Sequence, residues 1–167
     1  MAALRTCIVL LLTLAWAAGP WACADAATVN ASVNAKVVKP LQLTSKQSLD
    51  FGQVVLGTAA GSWTLSISTA GVRTCPAPLL CTGAARPAIL NVTGSNGNIV
   101  YIRTAPTDLA NAAGNRLRFT PVAPATVTLT NSGNQGKDFN VGGSITLSSA
   151  TPDGAYSGII QVTVDYQ

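Results

Sequence analysis

The sequence predicts an all-β domain folded as an antiparallel β-sandwich, and three observations carry that prediction. First, Val, Thr, Ser, Asn and Gly are common, every acid is Asp, and Glu is absent. β-Branched residues suit a pleated, half-buried surface, and Gly and Asn suit turns. Second, many short runs alternate apolar and polar residues with period two, the spacing of a strand with one buried face. Third, Gly, Pro and Asn clusters separate those runs at short intervals, as in antiparallel sandwiches. With 48% apolar and 10% charged residues, the chain has material for a core and a sparsely charged surface. Its 167 residues hold one domain comfortably and two poorly.

In chain order, residues 1–26 read as a secretory signal. Arg5 supplies the positive start, and Cys7 to Ala18 the apolar stretch. Ala22-Cys23-Ala24 offers cleavage after Ala24, and Ala24-Asp25-Ala26 offers cleavage after Ala26. The apolar run is short for a membrane span, and no later segment is apolar enough for one. A lipid anchor on Cys23 fits poorly with the preceding Pro20-Trp21-Ala22. The expectation is an exported mature chain of about 140 residues.

Residues 27–39 form an extension, followed by a domain over 40–167. In the extension Val29, Ala31, Val33, Ala35 and Val37 alternate with Thr28, Asn30, Ser32, Asn34 and Lys36. This predicts an extended strand with one apolar face, ending before Pro40. A short strand is expected over Leu41–Thr44, and an apolar run follows at Leu49–Val54. Ser62–Thr69 should be a strand with Trp63, Leu65 and Ile67 inward and Trp63 as the core anchor. Gly71–Pro87 reads as a long loop. Within it, Cys75 and Cys81 are expected to be bridged in an oxidising compartment, pinning the loop and contributing about 2 kcal/mol.

Ala88–Thr93 and Ile99–Thr104 read as strands joined through Asn96-Gly97, a strong hairpin signal. Thr107–Asn115 carries a weak helical pattern. Leu117–Phe119 and Thr126–Thr130 are strands separated by Pro121 and Pro124. Asn131–Asp138 is a polar loop. Phe139–Ser148 is a strand with a bulge or bend at Gly142-Gly143. After the turn at Thr151–Gly154 comes the final strand. Gly158, Ile160, Val162, Val164 and Tyr166 share one face of it, and the more polar set Ile159, Gln161, Thr163 and Asp165 the other.

The residue inventory argues against an enzyme. With no His, neither a Ser-His-Asp nor a Cys-His arrangement can be built, nor a His-metal site. Asp108, Asp138 and Asp153 fall in turns, where Asp is a turn former. Asn131–Asp138 holds too few acids for a calcium loop. No cofactor and no metal are expected. The ten basic residues, in a net charge of +4, are scattered singly, against a nucleic-acid surface.

Two stretches carry a family resemblance: SLDFGQVVLGTAAGSWTLSIS, Ser48–Ser68, and ATPDGAYSGIIQVTVDYQ, Ala150–Gln167. The second has Gly154 fourteenth and Tyr166 second from the C-terminus. This ending resembles that of pilus subunits assembled by the bacterial chaperone–usher route, and the first stretch resembles their first strands. The pattern YSGxxxVTVxY is also similar to secreted pilin-like or coat-like domains of poorly defined function. With the alternating N-terminal segment, the resemblance covers about half of the mature chain. One departure is the disulfide: many such subunits staple their first two strands, whereas Cys75 and Cys81 share one loop.

The resemblance implies an immunoglobulin-like sandwich, pilin-like, that lacks its seventh strand. A periplasmic chaperone fills the gap first, and the N-terminal extension of the next subunit then replaces it at an outer-membrane usher. On that reading Val29, Ala31, Val33, Ala35 and Val37 form the donor strand. Gly154, Gly158, Ile160, Val162, Val164 and Tyr166 belong to the acceptor strand that the chaperone also faces. The product is a homopolymer at the cell surface. Burying each donor valine is worth roughly 1.5–3 kcal/mol, and each ladder bond roughly 0.5–1.5 kcal/mol, before ordering costs. Residues 28–37 as an ordinary first strand, a secreted binding module for a carbohydrate or surface partner, and a coat-like matrix protein stay open as alternatives.

Overall fold

A computed structural model describes residues 27–130 and 135–167. The expected signal segment and part of the Asn131–Asp138 loop lie outside the described residues. The chain divides into two units between Ala35 and Lys36. Of the first, residues 27–35 are described; all are exposed and none is in a strand.

The second unit, Lys36–Gln167, is all-β, with no helix among the described residues. Its strands in chain order are β1 (Gln42–Gln47), β2 (Gln53–Val55), β3 (Ser62–Ile67), β4 (Arg73–Thr74), β5 (Leu80–Thr82) and β6 (Ala88–Thr93). Then come β7 (Ile99–Ala105), β8 (Thr107–Ala110), β9 (Arg116–Val122), β10 (Thr126–Thr128), β11 (Lys137–Ser148) and β12 (Gln161–Tyr166). The largest sheet runs β1-β6-β11-β3-β4, with β9 also on β11 and β8 on β9. A second sheet runs β10-β7-β12, and β2 pairs with β5. Every pairing is antiparallel, as the sandwich prediction requires.

Strand β11 spans the molecule's two halves. Lys137–Val141 pairs with β6, while Gly143–Ser148 pairs with β3 and Gly142–Ile145 with β9. The strand runs on through Gly142-Gly143, where its partners change from β6 to β3 and β9. The glycines also serve close approach. A Cβ on Gly143 would lie 2.5 Å from the Phe119 ring, and one on Gly142 would run into the Ile67 carbonyl.

Two hydrophobic cores result. In the first, Val92, Val100, Leu129 and Val141 are fully buried. In the second, Leu65, Leu117, Phe119, Ile145 and Leu147 pack together with half-buried Leu49 and Phe51. Phe119, and not Trp63, occupies the centre; Trp63 is only half-buried at the margin.

Other expectations change for identifiable reasons. Gly97 turns at φ +75° between β6 and β7, yet those strands belong to different sheets. Val92 and Val100 enter the same core from both strands, so the turn crosses the sandwich and makes no hairpin. Thr107–Ala110 is a strand rather than a helical turn, paired with β9 through Leu109↔Leu117. Pro121 lies inside β9, beyond the reach of β8, where the strand has a single neighbour and proline is tolerated. The Gly71–Pro87 loop contains β4 and β5.

Candidate functional site

The edges of β1 and β12 define the site. Strand β12 has one neighbour, β7, and β1 has one, β6. Each leaves one side of its backbone without a partner strand among the described residues, a state that invites pairing with another chain.

At one end these two strands are tied together. The Tyr166 hydroxyl donates to the Lys39 carbonyl at 2.6 Å and accepts from the Ser95 N–H at 2.8 Å. The Lys39 N–H donates to Ser95 Oγ at 2.6 Å. Gly94 lies beneath: a Cβ there would sit 2.5 Å from Tyr166 Oη and 2.8 Å from Leu41 Cδ2. A larger residue at 94 would therefore wedge the end open.

At the other end the structure opens into a groove of about 1410 Å³. One wall is the end of β1 with Ser48–Leu56; the other is Thr151–Ile160. Leu117, Phe119, Ile145 and Leu147 form the floor, so the groove reaches the second core. The Thr151–Ile160 wall is held by a bridge between Ala110 and Ser157, with N–H···O distances of 2.8 and 3.0 Å. Gly158 allows that approach, since a Cβ would come within 2.8 Å of Leu109 and 3.0 Å of the Asp108 carbonyl.

The opposite wall is tied back by three devices. Asp50 and Arg86 exchange main-chain hydrogen bonds at 2.9 Å. The Phe51 ring meets Phe119 edge to face at 6.1 Å. Arg73 donates to the Phe51 carbonyl at 3.0 Å. Nearby, Cys75 and Cys81 are joined in a disulfide with Cα atoms 6.2 Å apart.

The sequence-selected residues distribute unevenly around this site. Ile160 lines the groove and touches both cores. Val162, Val164 and Tyr166 are half-buried against the first core, while Gln161, Thr163 and Asp165 are exposed, so the predicted alternation is observed. Gly154 and Gly158 are exposed on the groove wall, Gly154 at φ +138°. Val29, Val33 and Val37 are 90%, 92% and 93% exposed, and Ala31 and Ala35 are exposed with them. None of residues 27–41 is in a strand, so the strand expected there is absent from this structure.

Sequence reasoning did not find the floor or Arg73. The floor residues come from β9 and β11, far apart in sequence, and nothing around Arg73 marks it as a brace. Chemically the groove is apolar below and peptide-like at its walls, with no group of three or more His, Cys, Asp or Glu that could hold a metal among the described residues. No helix among them is long and apolar enough to cross a membrane.

Residues 41–166 match a family described as a domain of unknown function (DUF4402). The chain belongs to this family. The match takes in every strand of the DUF4402 domain and leaves residues 27–40 outside it. No curated protein and no solved structure matches the chain.

Proposed function

We propose that this DUF4402 protein is an exported structural subunit that polymerises by strand exchange, the segment Val29–Val37 of one copy filling the groove of another. The groove carries this reading, because its floor is core and its walls are a segment holding the short strand β2 and an irregular segment, Thr151–Ile160, that leads into β12. At about 1410 Å³ it exceeds the usual small-molecule pocket of about 300–1,000 Å³. Its Gly154–Ile160 wall, if extended, is about 20 Å long, and Val29–Val37 extended would reach about 27 Å. The segment offers apolar side chains on one face, now in water. Strand addition would pair the open walls through main-chain bonds and bury those side chains. A periplasmic chaperone supplying a temporary strand, and an outer-membrane usher, fit the same chemistry.

Mature protein run unboiled in SDS should show a ladder of multimers that collapses on boiling. Deleting residues 27–37 should abolish the ladder, and adding the deleted segment as a peptide should not restore it. A single reversibly refolding monomer from the intact mature chain would overturn the proposal and favour a binding module or coat-like protein.

A further inference from the structure

We infer that Arg73 is the positioning residue of the groove, fixing the wall that carries Phe51; the inference rests on the strand-docking reading. Its guanidinium spans two segments that are separate in sequence. Nη1 donates to the carbonyls of Phe51 at 3.0 Å, Thr82 at 3.1 Å and Gly83 at 3.3 Å. Nη2 donates to the Cys81 carbonyl at 3.1 Å. All four acceptors are main-chain, so the contact is set by backbone position.

Two neighbours are shaped around this contact. Gly52 has φ +75°, and a Cβ there would lie 2.7 Å from Nη1 and 2.6 Å from the Thr82 carbonyl. Cys81 is held to Cys75, two residues beyond Arg73 in β4. The disulfide thus fixes one side of the tie, and the guanidinium passes that fixed position to Phe51. The Phe51 ring stands on Phe119, on the groove floor. A planar fork with several fixed donors can hold carbonyls from both segments at once, whereas a lysine ammonium is a single point on a flexible stem. Arg73 therefore sets the distance between the Phe51 wall and the floor, which is the width an incoming strand must match.

The test refolds the full mature chain, kept dilute enough that no ladder forms, with an excess of a fluorescent synthetic peptide of residues 27–39 and is read by anisotropy at 25 °C. Wild type should bind. Arg73→Met and Arg73→Lys should each lose tenfold or more in affinity, with unchanged far-UV circular dichroism. Gly52→Ala, which keeps the arginine and crowds it, should lose affinity similarly and stands in should an Arg73 variant fail to fold. A residue serving stability alone would lower the melting temperature and leave the affinity of the folded fraction intact. Affinities within twofold of wild type in the folded variants overturn the role of Arg73 and leave strand docking standing. Absence of peptide binding by wild type overturns both.

Discussion

The two cores of this DUF4402 domain are built from similar residues and end differently. The first is closed at one end: Val92, Val100, Leu129 and Val141 are fully buried, and Tyr166, Gly94 and Leu41 meet over them. The second opens on a groove whose floor is Leu117, Phe119, Ile145 and Leu147. Both have a sheet on one side. On the other, the first has the complete β10-β7-β12 sheet, and the second has only the β2–β5 pair and the Thr151–Ile160 segment. The contrast puts the thinner cover beside the second core and explains why a surface groove is so apolar.

The sharpest way to break this contrast is to delete the same group from each core. Leu129 is fully buried and Leu147 is 6% exposed on the groove floor. Leu129→Ala leaves a sealed void and should cost about 4 kcal/mol, near the upper part of the range for buried leucines. Leu147→Ala enlarges a space already open and should cost about 2 kcal/mol, because little new cavity is sealed. Urea denaturation with unchanged m-values would measure both. Equal losses, or a larger loss for Leu147→Ala, would mean that the second core is as closed as the first.

Much of the sandwich is legible where strands alternate strictly. In β9 and β12 the burial pattern follows the period-two pattern residue by residue. Partnering was less legible. Asn96-Gly97 dictates a tight turn, but a turn does not specify whether two strands share a sheet or face each other across a core. Trp63 is large but marginal, because size alone does not set depth, and Phe119 is central through its place on β9 between β8 and β11. The groove was half legible. Ile160 and Gly158 stood out in one continuous strand pattern. The floor is assembled from residues distant in sequence, and Arg73 acts through carbonyls, which leave no trace in side-chain pattern.

A smaller effect should come from the tie that closes one end of the first core. Tyr166→Phe keeps the ring against the core and removes a hydroxyl with partners on Lys39 and Ser95. The expected loss is about 1–2 kcal/mol, from two hydrogen bonds at roughly 0.5–1.5 kcal/mol each. Amide exchange should rise at Ser95, whose N–H loses its acceptor, and remain unchanged at Phe119 in the other core. Faster exchange at both positions would show that the two cores do not open independently.

The smallest effect concerns the outer face of the sheet over the first core. Lys46 on β1 reaches across β6 to Asp138 on β11, with Nζ 2.7 Å from the carboxylate. The buried Asn91 amide donates to the same carboxylate and to the Gln135 carbonyl. The Lys46 hydrogen bond, and then that from Asn91, holds the Asp138 carboxyl below its usual value, against a weaker opposing effect of desolvation. A depressed folded-state pKa favours folding above the unfolded value, about 3.9, and that advantage is lost as pH falls through the folded value. The difference in melting temperature between wild type and Asp138→Asn should therefore be constant at neutral pH and shrink below about pH 4. Because both partners are about half exposed, added salt should also reduce it. A difference that stays flat from neutral pH to about pH 2 would mean that the ion pair adds nothing to the tie between β1 and β11.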